Sequence, residues 1–93
     1  MTSFQPTQIF EVRSDLIVEQ IDGQALVLDM SRNVYFSLNP MAVIMFDGLR
    51  RGLTLHAVCE EVMAAYDVTA SIVFDDLVAF VSSLETRALV SRV

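Results

Sequence analysis

The chain has 93 residues, 54 % of them hydrophobic, and a net charge of −6. This length allows one domain and leaves no room for a second. An acidic chain of this size repels nucleic-acid phosphates and anionic lipid headgroups, which argues against nucleic acid and membrane surfaces as partners. The apolar content is more than so short a chain easily buries, so we expect part of the apolar surface to meet a partner.

The N-terminal region gives no sign of targeting. No apolar run approaches the roughly 20 residues of a membrane span, and no basic stretch precedes an apolar one as in a secretory signal. We therefore expect a cytoplasmic protein. Residues 1–8 are mostly polar and include Pro6, so they are expected to form a flexible tail.

The first half of the chain predicts strands. Residues 9–13 alternate and indicate a short strand or an extended lead-in. Clearer strands over 16–21 and 24–29 flank Asp22-Gly23, a dipeptide typical of two-residue hairpins with positive φ at both turn positions. Asn33 suits a left-handed position in the next turn. The alternating residues 34–38 then complete a three-stranded antiparallel meander, in which this last strand is an edge.

A helix follows that edge strand after about two residues. The side-chain oxygen of Asn39 is suited to cap a helix, and Pro40 fits the first helical position, where no N–H donor is needed. The apolar spacing over 40–51 predicts the helix itself, and Gly52 is expected to end it.

Two more helices are predicted. Thr54 caps the first, which runs to about residue 66, and Thr69 or Ser71 caps the second, which runs to about residue 86. A short extended segment over 88–90 closes the chain. The last helix has a core-facing stripe and further apolar positions beside it, which predict either that it lies between two layers or that it has a second face for a partner. The stripe comprises Val73, Leu77, Phe80, Val81 and Leu84, and the further positions are Ile72, Phe74, Val78 and Ala79.

A meander followed by three helices is a winged helix-turn-helix layout, an α+β class, and we expect residues 1–93 to form one such domain. The order of several matched segments over residues 14–91 resembles the PqqD-like family, the stand-alone or fused recognition elements of pathways that modify ribosomally made peptides (RiPPs). The matched segments are Leu28-Asp29, Tyr35-Phe36-x-Leu38-Asn39-Pro40-x-Ala42, Gly48-Leu49, Gly52-x-Thr54, Tyr66-Asp67-Val68, Asp76-Leu77-x-x-Phe80-Val81-x-x-Leu84 and Leu89-Val90.

Two positions depart from the family pattern. Members that serve pyrroloquinoline quinone synthesis usually carry a Pro-Glu-Arg run before the third strand, where this chain reads Asp-Met-Ser-Arg-Asn over 29–33. The resemblance therefore favours a member of the lasso-peptide type. Many members also have Gly before the last apolar pair, where this chain has Ala88.

The resemblance implies a function without catalysis. The leader of a precursor peptide would add as an antiparallel strand beside residues 34–38, with its side chains in a groove against the third helix. The protein would present this leader to a leader peptidase and a macrocyclase. Lasso-type leaders carry a Tyr-x-x-Pro pattern, which would need an aromatic-sized pocket. No cofactor is implied, and we expect a monomer or a weak homodimer.

The candidate peptide-binding residues fall in two groups. Alternation places Val34 and Phe36 on one face of the edge strand and Tyr35 and Ser37 on the other, and periodicity does not decide which face meets the third helix. On that helix, small residues leave room for an inserted ring, and the two aspartates are expected either to pair with cationic guest residues or to be solvated. The full set is Asn33, Val34, Tyr35, Phe36, Ser37, Ile72, Asp75, Asp76, Ala79, Phe80 and Ser83.

No residue pattern predicts catalysis or a metal site. The single cysteine, Cys59, is expected to be buried beside an exposed His56, since free cysteines are usually buried. Paired carboxylates occur only as sequence neighbours, which point in different directions on a helix. We therefore expect a protein that is not an enzyme.

Three other functions stay open. One is a peptide chaperone of the quinone pathway, and another is an obligate homodimer that uses the same edge strand. The last is a winged-helix DNA binder, whose recognition helix would enter the major groove. The third helix has no basic residue over 69–86 and three acidic ones, Asp75, Asp76 and Glu85, which is the wrong charge for phosphate contacts.

Overall fold

The computed structural model describes residues 4–93. It confirms an α+β fold in which a three-stranded antiparallel meander precedes three helices. The elements in chain order are β1 (Phe10–Val12), β2 (Ile17–Ile21), β3 (Gln24–Asp29), β4 (Val34–Leu38), α1 (Pro40–Arg50), α2 (Leu55–Ala65), α3 (Ala70–Thr86) and β5 (Val90–Arg92).

The meander has the order β2-β3-β4. Its first turn has Asp22 at φ 53° and Gly23 at φ 79°, as the hairpin dipeptide predicted, and Asn33 adopts φ 56° before β4. In the register, Val27 pairs with both Val18 and Phe36, which places these three side chains in one row. Val27 is fully buried, so this row faces the helices.

The predicted helix starts and the predicted stop are confirmed at α1 and α2. The Asn39 Oδ1 accepts a hydrogen bond from Ala42 N at 2.8 Å, and Pro40 occupies the first turn. Gly52, at φ 79°, follows the end of α1. The Thr54 Oγ1 accepts from Ala57 N at 3.1 Å and so caps α2. At α3 the residue before the helix is Thr69, whose side chain makes no capping hydrogen bond.

A second, two-stranded sheet joins the two ends of the domain. β1 pairs antiparallel with β5, and Phe10 lies opposite Arg92. The sequence indicated extended segments in both places but not that they pair. The strands have three residues each and lie far apart in the chain, so no local pattern connects them.

Residues 4–8 contact α2 and β1, although the sequence predicted a flexible tail over 1–8. The carbonyl oxygens of Pro6 and Gln8 accept hydrogen bonds from the first two N–H groups of α2, at 2.8 and 3.0 Å. These N–H groups have no partner inside the helix, so the segment satisfies donors that would otherwise need water. The ring of Phe4 also stacks on Phe10, with centroids 6.0 Å apart. Residues 1–3 lie outside the described part of the chain.

The core lies between the inner face of the meander and the three helices, and α1 and α2 approach closely within it. A Cβ at Gly48 would lie 2.9 Å from a methyl group of Val58, so glycine allows this contact. The fully buried side chains include Phe10, Val27, Leu49, Leu55, Val58, Val62, Val73, Leu77, Val81, Leu84 and Leu89.

Candidate functional site: the β4 edge and the groove beside α3

The two faces of β4 have different surroundings. Leu38 is buried and Phe36 is half-buried, while Tyr35 and Ser37 are exposed. The residue surface of Tyr35 is 70 % exposed to solvent. The face of Val34, Phe36 and Leu38 is therefore the one turned toward the helices. Within the described residues β3 is the only strand beside β4, so the other edge of β4 has unpaired backbone groups.

One cavity opens where β4 ends. It has a volume of about 290 Å³ and lies between the first turns of α1 and the middle of α3. We call it the Asp76 cavity. Met41 and Met45 supply flexible apolar walls, and Ala79 leaves the space open because its side chain is a single methyl group. The complete lining is Asn39, Met41, Ala42, Met45, Asp76, Ala79 and Phe80.

A second cavity opens where β4 begins. It has a volume of about 220 Å³, and we call it the Arg87 cavity. The guanidinium of Arg87 lies over the ring of Phe36, 5.4 Å from its centroid, and the Arg32 Nη1 donates to the carbonyl oxygen of Arg87 at 2.9 Å. The complete lining is Asp29, Arg32, Val34, Phe36, Arg87 and Leu89.

The Arg87 cavity includes Val34 and Phe36 of β4, and the Asp76 cavity includes Asn39, the residue after β4, with three residues of α3. We call the surface that joins these two cavities the β4–α3 groove. The strand and the helix run in opposite directions, because Val34 shares a cavity with Arg87 whereas Asn39 shares one with Asp76. Their lengths match. Val34 to Leu38 spans about 13 Å of strand, and Asp76 to Arg87 spans about 16 Å of helix.

A left-handed residue at the end of α3 positions the wall of the Arg87 cavity. Ala88 has φ 57°, its N–H donates to Glu85 O, and the Leu89 N–H donates to Leu84 O, both at 2.9 Å. This pair of hydrogen bonds is a Schellman motif, which usually has glycine at the left-handed position. The family's usual glycine before the last apolar pair thus corresponds to a real backbone requirement, which alanine meets here with strain.

A buried ion pair fixes the chain just before β4. Asp29 is only 1 % exposed, and both its carboxylate oxygens accept hydrogen bonds from Arg13, at 2.9 and 3.1 Å. Ser31 donates to the same carboxylate at 2.7 Å. The Arg13 hydrogen bonds first, and then that of Ser31, lower the pKa of Asp29 to about 2. Arg13 also binds the exposed Asp15.

The structure brings some of the predicted site residues together and separates others. Val34 and Phe36 line the Arg87 cavity, and Asp76, Ala79 and Phe80 line the Asp76 cavity. The remaining predicted residues line neither cavity. They are Asn33 in the turn before β4, Tyr35 and Ser37 on its outer face, and Ile72, Asp75 and Ser83 on the exposed surface of α3.

Sequence reasoning missed the contributions of other elements. Met41 and Met45 come from α1, and Arg32 and Leu89 come from the turns next to β4 and α3. Only Arg87 had a usable signal, because it follows Asp76 by eleven residues and so returns to the same side of the helix.

The sheet has a larger concavity elsewhere, of about 350 Å³, at the β2–β3 hairpin. Ser37 is its only lining residue from β4, and no helix contributes to it. A guest on the open edge of β4 would have strand backbone and helix side chains together only in the β4–α3 groove, so we take the groove and not the hairpin concavity as the candidate site.

The remaining chemical groups lie apart from the groove. Cys59 is buried in α2 and His56 is exposed on it, as predicted, and burial raises the pKa of the Cys59 thiol. Among residues 4–93 no group of three or more His, Cys, Asp or Glu residues is placed to hold a metal ion. No helix in the same residues is long and apolar enough to cross a membrane.

A family model described as coenzyme PQQ synthesis protein D (PqqD) matches residues 24–90 of the sequence. The chain belongs to the PqqD family. The match includes β3, β4 and all three helices, and hence every residue that lines the two cavities. The family resemblance noted in the sequence is therefore confirmed.

A solved structure with the same fold is that of TbiB1 in complex with the TbiA(beta) leader peptide. The TM-score is 0.80, and the alignment covers 87 % of the present chain and 94 % of TbiB1. At 21 % sequence identity this similarity establishes the fold. Comparison with curated proteins finds no match.

Proposed function

We propose that the protein binds the leader of a ribosomally made precursor peptide as an added strand on β4, with the leader's side chains in the β4–α3 groove. The observation that carries this proposal is an unpaired strand edge with an open cavity near each of its two ends. Membership of the PqqD family and the fold shared with TbiB1, which is in complex with a leader peptide, support it.

The energetics favour a reversible complex. Each backbone hydrogen bond to β4 contributes about 0.5–1.5 kcal/mol, while ordering a disordered leader costs about 2–5 kcal/mol or more. Side chains that fill the two cavities supply the remainder and the specificity. Micromolar to sub-micromolar affinity is the expected balance, which suits a protein that must release its guest to an enzyme.

The pathway we propose is lasso-peptide biosynthesis, in the cytoplasm. The protein would present the leader to a leader peptidase and a macrocyclase and would perform no chemistry itself. The stretch over 29–33 supports this assignment, because it lacks the Pro-Glu-Arg run of the quinone-pathway members.

A peptide chaperone for quinone cofactor synthesis is the second candidate, since the matching family model is described by that pathway. Both candidates use the same groove and differ in the guest. The two are distinguished by titrating the protein with a lasso-type leader and with a quinone-precursor peptide.

The test uses a fluorescent peptide that covers the N-terminal half of the precursor peptide, which we expect a short open reading frame beside this gene to encode. We expect saturable fluorescence polarisation, and amide chemical-shift changes in ¹⁵N spectra over 34–38 and α3 but not over 17–21. An unchanged polarisation up to high-micromolar protein would contradict the proposal. A mobility shift with DNA at low salt would instead favour a winged-helix regulator, and light scattering without peptide measures the self-association expected of an obligate dimer.

A further inference from the structure

The two cavities carry opposite charge. In the Asp76 cavity the one charged residue is Asp76, which forms no ion pair within residues 4–93. The Arg87 cavity has Arg32 and Arg87, which also form no ion pair with the described residues. Asp29 lines the same cavity, but its charge is compensated by the two hydrogen bonds from Arg13.

Because β4 runs from one cavity to the other, the charge difference between the cavities predicts the order of charged residues along a guest strand. β4 begins at the Arg87 cavity and ends at the Asp76 cavity. A guest strand that pairs antiparallel with β4 therefore starts at the Asp76 cavity and leaves past the Arg87 cavity. Its earlier residues meet a carboxylate, and its later residues meet two guanidinium groups.

The length of the groove sets the spacing. The cavities are separated by about 13 Å of strand, which corresponds to about four residues. Side chains on one face of a strand recur every second residue, so positions i and i+4 of the guest both point into the groove. Position i+2 then lies between them. Phe36 lines one cavity and Phe80 the other, so we expect an apolar guest side chain at this position.

We propose that the β4–α3 groove selects leaders with Lys or Arg at position i, an apolar residue at i+2 and Asp or Glu at i+4, in that order from N to C. This inference rests on the proposed function, because it assumes an antiparallel guest strand on β4. Beyond the proposed function, it states that the protein distinguishes a guest in which the cation precedes the anion from one with the reverse order. Arg32 and Arg87 suit the second position, because a guanidinium can hold a carboxylate in a fixed geometry.

The experiment compares two fluorescent synthetic peptides of identical composition. Both have a neutral, strand-forming background with a central Val, and they differ only in whether Lys precedes Glu by four residues or follows it. We expect the Lys-first peptide to bind about tenfold more tightly at low salt, because the reversed order exchanges two surface ion pairs for two like-charge contacts. The difference should decrease as salt screens the charges.

Two variants with the same charge change provide the control. Asp76→Lys should abolish the preference, because either peptide order then makes one ion pair and one like-charge contact. Asp75→Lys should leave it unchanged, because Asp75 lines neither cavity. Combining Asp76→Lys with Arg32→Glu and Arg87→Glu should reverse the preference.

Each other outcome overturns the inference in a distinct way. Equal binding of both peptides would show that charge order is not recognised, and tighter binding of the Glu-first peptide would mean that the guest runs parallel to β4. Binding of neither peptide would show that the charge pattern is insufficient. The proposed function stands or falls separately, on binding of the leader encoded beside the gene.

Discussion

The two edges of the meander, β2 and β4, both have unpaired backbone groups on one side among the described residues, but they differ in what lies beside them. Next to β2 the space against α1 is closed: the cavity lined by Val18, Gln20 and Phe46, among others, has a volume of about 10 Å³. Next to β4 two cavities of about 290 and 220 Å³ remain open. If the proposed function holds, backbone groups alone do not make a peptide site, and we expect the space for side chains to decide which edge a guest uses.

Filling the groove tests this comparison most strongly. Ala79→Trp places an indole in the Asp76 cavity and is expected to weaken leader binding by about thirtyfold or more, the equivalent of about 2 kcal/mol. The measurement is fluorescence polarisation with the leader peptide. Ser82→Trp is the matched control, because Ser82 is exposed and lines neither cavity. Equal weakening by both variants would mean that the groove is not where the guest side chains lie.

Substitutions on the two faces of β4 are expected to give the next largest difference in leader binding. Phe36→Ala removes a ring that lines the Arg87 cavity and is expected to weaken binding about tenfold. Tyr35→Ala should weaken it less than about fivefold, because an outer-face cross-strand contact contributes only about 0.2–1 kcal/mol. Circular dichroism on both variants checks that the fold is kept. A larger loss at Tyr35 would place the guest's anchoring side chains on the outer face of the sheet.

The ion pair before β4 is predicted to matter for the stability of the fold. The folded-state pKa of Asp29 is about 2, below its ordinary 3.8. Its stabilising contribution is therefore complete above the unfolded-state value and is lost as pH falls from about 4 to about 2. Asp29→Asn should lower the urea midpoint at pH 7, and the difference from wild type should shrink across that acid range.

Asp15→Asn is the control for this prediction. Asp15 binds the same Arg13, but its side chain is 57 % exposed, so the neutral variant should scarcely change the midpoint. If both variants destabilise the protein equally, the burial of Asp29 does not explain the contribution of its ion pair to stability.

The smallest predicted effect concerns the strained turn after α3. Ala88→Gly should raise the free energy of unfolding by up to about 1 kcal/mol, because glycine adopts the left-handed conformation without strain. The greater entropy of glycine in the unfolded chain offsets part of this gain. The corresponding residue after α1 is Gly52, at φ 79°, and Gly52→Ala should lower the stability by a similar amount. Thermal melts of the two variants measure both shifts, and changes of the same sign would contradict the strain assigned to Ala88.

Local chemistry made much of the fold predictable. Asp22-Gly23, Asn33 and Asn39-Pro40 each require a particular backbone geometry, so the meander and the start of α1 followed from a few residues. The pairing of β1 with β5 did not, since it depends on the packing of the whole chain. Residues 4–8 likewise gave no signal, because their contacts with α2 use backbone carbonyls, which every residue type has.

The candidate site was predictable only in part, because it too depends on contacts between elements that lie far apart in the chain. Alternation showed that β4 has two faces, but Phe36 and Tyr35 are both aromatic, so composition did not show which one turns inward. Asp76, Ala79 and Phe80 were found because α3 is regular. The walls from α1 and from the turns were missed, because a cavity depends on how separate elements meet and not on any one pattern.

The burial of Cys59 has a practical consequence for these experiments. The cysteine is 6 % exposed and is the only one in the chain, and a buried thiol with a raised pKa reacts slowly with maleimides while the protein is folded. The rate at which Cys59 is labelled therefore reports how often the protein unfolds globally. A second cysteine engineered at an exposed position could be tagged selectively without first removing the native one.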